Sequence, residues 1–164
     1  MPGTQAGGPV RSVFSLVTLL KNYFDFYIIT TNRDLGVSKP YDGISPNKLF
    51  LKEGVHYYYF DNQNLKTQRF VNLIHEIKPD LIYLNSFWSF NFSINLIRLK
   101  NSKQIAVPIL LAPRGMLGKG AMSLKSLKKN LFVLSAKMFR WYKDITFHAT
   151  QSQEAQDILS KFKS

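Results

Sequence analysis

KPDLIYLNSFWS, residues 78–89, is the stretch on which the fold turns. Lys78-Pro79-Asp80 stops the helix before it, because proline breaks helical hydrogen bonding and biases its predecessor toward extended backbone. LIYLN (81–85) then runs nearly continuously apolar, the mark of a strand covered on both faces. The unit recurs downstream. PILLAP (108–113) and ITFHA (145–149) are expected strands, while 90–100, 121–143 and the segment from about 151 are expected helices, the last opened by a Thr150/Gln153 capping box. Upstream, Phe70, Leu73, Ile74 and Ile77 give helical periodicity over 65–78. A strand pair or hairpin is expected around Leu49–Leu51 and Tyr57–Phe60, a loop over 32–47, a strand at DFYIITT (25–31) and a helix over 9–22.

Strands alternating with helices imply a parallel sheet layered by helices. The expected class is therefore α/β, an open doubly wound, Rossmann-like parallel sheet. Such sheets ordinarily open with a buried strand that leads into the first glycine loop. Here the loop comes first, so either the opening strand lies upstream of residue 1, the favoured expectation, or the sheet lacks it.

The 164 residues are 45% apolar and 14% aromatic, enough for one substantial core and a single domain. The absence of cysteine excludes disulfides and thiolate metal sites, and it fits a reducing compartment. His56, His75 and His148 show no metal-ligand spacing, so no metal is expected. No apolar run reaches the ~20 residues needed to span a bilayer, and MPGTQAGGPVRSV lacks the pattern of a secretory leader. The expectation is a soluble, cytoplasmic protein.

Charge is distributed unevenly. The net charge is +12, and between Asp80 and Asp144 stand eleven bases and no acid: Arg98, Lys100, Lys103, Arg114, Lys119, Lys125, Lys128, Lys129, Lys137, Arg140 and Lys143. One-signed charge repels itself, so it marks a surface that meets a polyanion.

Four places are candidates for chemistry. Gly7 and Gly8, followed by Arg11, precede a helix start, where backbone N–H groups face a ligand, although a plain flexible turn fits the glycines equally well. Asn85 and Ser86 follow the 81–85 strand, at the strand edge where open α/β sheets bind ligands; capping of the next helix is the alternative. Arg114 follows the 108–113 strand on the same edge, with no acid nearby in sequence, and its forked guanidinium suits phosphate or carboxylate. His148 ends the last strand on that edge.

The fourth place is helix 121–143. Leu124, Leu127, Leu131, Leu134, Met138 and Trp141 share one arc, with Lys125, Lys128, Lys129, Arg140 and Lys143 nearly opposite and Phe132 and Phe139 among them. That basic, aromatic face is either membrane-facing or covered by a partner domain. Gly115-Met-Leu-Gly118-Lys119-Gly120 is no phosphate-binding P-loop, since its Gly-Lys lacks a following Ser or Thr. No pairing of carboxylates, and no Ser-His-Asp or Cys-His set, can be assembled, which argues against a free-standing hydrolase.

Five blocks in order, GGPVRSV (7–13), KPDLIYLNSFWS (78–89), VPILLAPRGM (107–116), GAMSLKSLKKNLF (120–132) and ITFHATQSQEAQDI (145–158), resemble the N-terminal half of a family-4 retaining glycosyltransferase of the two-domain GT-B fold. The subgroup it is similar to carries a P-R-G-M-L or P-R-G-E-L block, a lysine-rich helix and an H-A-T-S-x-x-E ending. In this chain Gln151 intervenes, so Ser152 matches only with an offset of one.

The resemblance implies sugar transfer from a nucleotide-sugar donor, UDP- or GDP-linked, to a glycan or lipid-linked acceptor with retention of configuration. Residues 1–164 would form the acceptor-side domain. A C-terminal donor-binding domain would lie beyond this chain, which would be inactive by itself and need no cofactor of its own. Gly7 and Gly8 would approach donor phosphates or acceptor, and Arg114 would contact the acceptor. Asn85 stands where many relatives have histidine, which implies hydrogen bonding to a sugar hydroxyl instead of acid–base work.

The other reading is a basic α/β module without catalysis, bound to nucleic acid or to an anionic membrane on the inner face of the cell membrane. Nucleic acid is disfavoured, because no helix-turn-helix, RRM, KH or zinc pattern occurs.

Overall fold

The computed structural model describes residues 8–124 and 126–162. The chain gathers into two compact units, Met1–Lys66 and Thr67–Ser164. Both mix helix with parallel strand pairing, so the protein is of the α/β class. The strands pair in two three-stranded sheets, each containing parallel pairing.

The first unit holds helix α1 (Gly8–Leu20) and strands β1 (Tyr27–Thr31), β2 (Leu49–Lys52) and β3 (Val55–Phe60), in the order β1-β3-β2. β1 runs parallel to β3, with Tyr27 opposite His56 and their rings stacked at 4.4 Å. β2 and β3 form the expected hairpin. Its two-residue turn has φ of 52° at Glu53 and 77° at Gly54. Positive φ at both positions matches the right-handed twist of the flanking strands, as a type I′ turn does. The loop after β1 is tied to the sheet end, because the buried Asn32 donates its N–H to the Phe60 carbonyl and accepts from the Tyr41 N–H.

The second unit follows the expected alternation: α2 (Thr67–Ile77), β4 (Ile82–Leu84), a π-helical turn (Phe90–Ile94) running into α3 (Asn95–Asn101), β5 (Ile109–Leu111), α4 (Lys119–Ser123), α5 (Ser126–Met138), β6 (Ile145–Phe147) and α6 (Ser152–Phe162). The strands are all parallel in the order β4-β5-β6, with Leu84, Leu111 and Phe147 in register at their carboxyl ends. Ser89, not Asn85 or Ser86, caps the helical segment after β4, its Oγ accepting from the Phe92 N–H.

The expected helix over 121–143 is two helices. Leu124 is extended (ψ 116°) at the end of α4. α5 closes when Arg140 turns left-handed (φ 51°), with Trp141 N–H bonded to Ala136 O and Arg140 N–H to Lys137 O. That pair of bonds is the Schellman stop, here made with arginine in the place usually taken by glycine.

The core of this unit centres on Phe87, fully buried, whose ring stacks on Tyr142 at 5.2 Å and meets Trp88, Phe132 and Phe162. Burial raises the Tyr142 phenol pKa strongly. Phe132, Val133 and Ala136 are the face of α5 that turns inward. The leucine stripe faces out. Aromatic partners on Phe87 and Trp88, together with the small Ala136, select the other face.

Candidate functional site

Polar groups collect where the three parallel strands end. The ladder continues one step past each strand, through Ala112 N–H to Leu84 O (2.8 Å) and His148 N–H to Leu111 O (2.9 Å). Tyr83 in β4, Asn85 just after it, Arg114 just after β5 and His148 just after β6 therefore come to one edge by backbone pairing alone.

The side chains then join. Arg114 Nε donates to Asn85 Oδ1 at 2.6 Å, and its Nη2 donates to the Tyr83 hydroxyl at 2.9 Å. The same hydroxyl lies 2.9 Å from His148 Nδ1. Guanidinium only donates, so the Tyr83 oxygen accepts from Arg114, and its own proton is available to Nδ1. With the phenol proton given to Nδ1, the ring proton of a neutral His148 stands on Nε2. Burial raises the Tyr83 pKa; the charge and hydrogen bond of Arg114 oppose this, the Glu154 charge adds to it, and the net shift is upward. The phenol stays neutral at physiological pH.

Arg114 is held in a costly conformation, with φ of 56°. A non-glycine residue there costs roughly 1–2 kcal/mol. Gly115 follows at φ 73°, which glycine adopts freely. The two successive left-handed residues turn the Gly115 N–H onto Glu154 Oε1 at 2.7 Å. Glu154 Oε2 accepts from the N–H and the hydroxyl of Thr150, both at 2.7 Å. Glu154 is 2% exposed and lies in the first turn of α6, where the helix end favours negative charge. Burial by itself would raise its pKa. The hydrogen bonds from Thr150 and Gly115, with the charge of Arg114, outweigh that, and the pKa is lowered. The expected Thr150/Gln153 capping box does not form: the Thr150 N–H and hydroxyl both donate to Glu154, and the Gln153 amide reaches Asp157.

Of the five N–H donors of a guanidinium, Arg114 spends two on Asn85 and Tyr83, and three have no protein partner among the described residues. The side chain is half-buried. Among the described residues the one salt bridge is Lys39–Asp42, so no carboxylate neutralises Arg114 by direct contact. Both Glu154 oxygens are engaged, and that carboxylate ties the loops after β5 and β6 together. The arrangement is a preorganised cationic donor at a strand edge, fit to hold a hydroxyl-rich or anionic ligand group. Among the described residues no group of three or more His, Asp or Glu could hold a metal ion.

Asn85, Arg114 and His148 converge as separate strand ends of one sheet. Ser86 is their neighbour, its hydroxyl 3.5 Å from Met116 Sδ and its carbonyl accepting from Ser93. Gly8 and Arg11 belong to α1 of the first unit, both exposed, and Gly7 lies outside the described residues.

On α5, the basic and aromatic face does not behave as a unit. Lys125 lies outside the described residues. Lys129 is half-buried over the Trp88 ring (5.5 Å) and donates to the Ala121 carbonyl. Phe132 packs against Phe87, Trp88 and Trp141. Lys128, Phe139, Arg140 and Lys143 are exposed. Phe132 and Lys129 are turned inward because the aromatic cluster offers them more contact than solvent does.

Sequence reasoning passed over Tyr83 and Glu154. Tyr83 looked like one more aromatic strand residue. Glu154 had a signal, as the acid that ends the HATQSQE run four residues after Thr150. The chain matches no protein family, no curated protein and no solved structure.

Proposed function

We propose that this chain is the acceptor-side, N-terminal half of a GT-B glycosyltransferase, binding a glycan or lipid-linked sugar that receives a hexose from a UDP- or GDP-sugar with retention. In this reading the two small sheets belong to a larger doubly wound domain, and a C-terminal domain beyond residue 164 grips the nucleotide. The enzyme would work in the cytoplasm. The described residues contain no helix long and apolar enough to cross a membrane.

The observation that carries the reading is Arg114. It is strained, anchored by Asn85 and Tyr83, and presents three further donors at the carboxyl edge of a parallel sheet. A fixed fork of donors recognises vicinal hydroxyls or a phosphate, which are the groups an acceptor sugar or its lipid phosphate offers. The order of the five sequence blocks supports the same assignment.

The test is a titration of the isotope-labelled chain by NMR with polyprenyl-phosphate-linked sugars, simple glycosides, UDP- and GDP-sugars, and an unrelated DNA duplex. Saturable shifts of Asn85, Arg114, Gly115 and His148 with a saccharide or lipid-linked sugar, abolished by Arg114→Ala, are expected. Turnover by the chain alone is not expected. Shifts of those residues with DNA and with no saccharide would replace the transferase with a nucleic-acid module.

A further inference from the structure

We propose that α5 is an interfacial helix by which this protein rests on an anionic lipid surface, with Leu127, Leu131, Leu134 and Met138 seated among the acyl chains and Lys128 and Lys137 at the headgroups. The proposal stands on α5 alone and is independent of the transferase reading.

These four apolar side chains are between 63% and 82% exposed. At about 100° per residue they fall in an arc of roughly 60°. Lys128 and Lys137, both exposed, lie roughly 90° to either side of the centre of that arc. Behind it, nearly opposite, Ala136 is buried, with Val133 and Phe132 on the inward flanks. The helix is therefore anchored to its own core by a small face and offers its larger apolar face outward. Exposed Leu124 precedes it and exposed Phe139 follows it. An exposed apolar stripe edged by lysine is the geometry of a helix lying in a membrane interface, where the lysine stems run along the apolar zone and the ammonium groups reach phosphates.

Charge selects the occupant. No acidic residue occurs between Asp80 and Asp144, while exposed Lys119 opens α4 and exposed Arg140 and Lys143 follow α5. A second copy of the chain would bring its own +12 against this surface. A stripe of four or five aliphatic side chains buries only about 500 Å², short of the ~800 Å² per partner typical of a stable protein pair. A bilayer demands no shape complementarity and supplies negative charge along the whole edge.

The experiment is vesicle flotation with phosphatidylcholine alone and with phosphatidylcholine mixed with phosphatidylglycerol. Association with the mixed vesicles only is expected. Leu131→Ser combined with Leu134→Ser should weaken it roughly tenfold or more, with the unfolding temperature unchanged because both side chains are already exposed. Lys128→Gln and Lys137→Gln should each weaken it about fivefold. A Leu134→Trp variant should show fluorescence quenching by brominated acyl chains. Absence of binding to the mixed vesicles overturns the proposal. Binding that ignores the leucine substitutions overturns it as well, reducing the effect to surface charge. A wild-type dimer in solution that Leu131→Ser dissociates also overturns it, in favour of a second copy on this face.

Discussion

Arg114 Nε and Asn85 Oδ1 lie 2.6 Å apart, joining the residue after β4 to the loop after β5 across two parallel strands. The bond costs a left-handed backbone at Arg114 and fixes the direction of the guanidinium. Arg114→Gly should therefore unfold at a higher temperature than Arg114→Ala, by the equivalent of about 1 kcal/mol, because only glycine relieves the strain. Both variants should lose acceptor binding. Thermal melts followed by circular dichroism separate the two effects, and equal melting temperatures would show that the arginine is not strained.

Glu154→Gln removes a buried charge whose two oxygens accept three hydrogen bonds. Charged hydrogen bonds contribute about 1.5–3 kcal/mol each, so a loss of at least ~2 kcal/mol is expected. The pH dependence follows from its lowered pKa. The unfolded state binds this proton more readily, so the carboxylate contributes stability above the unfolded value near ~4.3, and that stability disappears as pH falls through the lower folded value. Denaturant midpoints of the wild type should drop across that acid range, and the drop should be smaller in Glu154→Gln.

Tyr83→Phe deletes the hydroxyl that accepts from Arg114 and reaches His148 Nδ1. A stability loss of about 1 kcal/mol is expected. The imidazole nitrogen chemical shifts of His148 should move from a single Nε2–H tautomer toward a mixture. Unchanged shifts would mean that Tyr83 does not set the tautomer.

Phe87→Ala and Leu134→Ala test which face of α5 is inside. Phe87 is wholly buried and in ring contact with Phe132, so its truncation should cost about 3–5 kcal/mol. Leu134 is exposed and should cost under ~0.5 kcal/mol by the same urea titration. Comparable costs would place the leucine stripe in the core.

Strand existence was legible because it is local. LIYLN, PILLAP and ITFHA carry their burial in composition, and β4, β5 and β6 fall inside them. The parallel order follows from helices of fitting length between them, and it puts Asn85, Arg114 and His148 at one edge without knowledge of any contact. The strand pair around Leu49–Leu51 and Tyr57–Phe60 was readable for the same reason.

Periodicity could not say which face of α5 turns inward, since a stripe of leucines and a trio of Phe132, Val133 and Ala136 both satisfy a helical repeat. Contact with Phe87 and Trp88, distant in sequence, decided it. The break at Leu124 and the left-handed stop at Arg140 were equally hidden, because neither carries glycine or proline.

Alone, then, the sequence determined the α/β class and the strand-end placement of the polar residues, both consequences of local apolar patterning. Tertiary structure alone decided that the strands pair as two sheets, that Glu154 ties the Arg114–Gly115 turn to Thr150, and that Tyr83 links Arg114 to His148. Those outcomes depend on competition among non-local contacts, where a few ångströms of approach decide which partner a buried group takes.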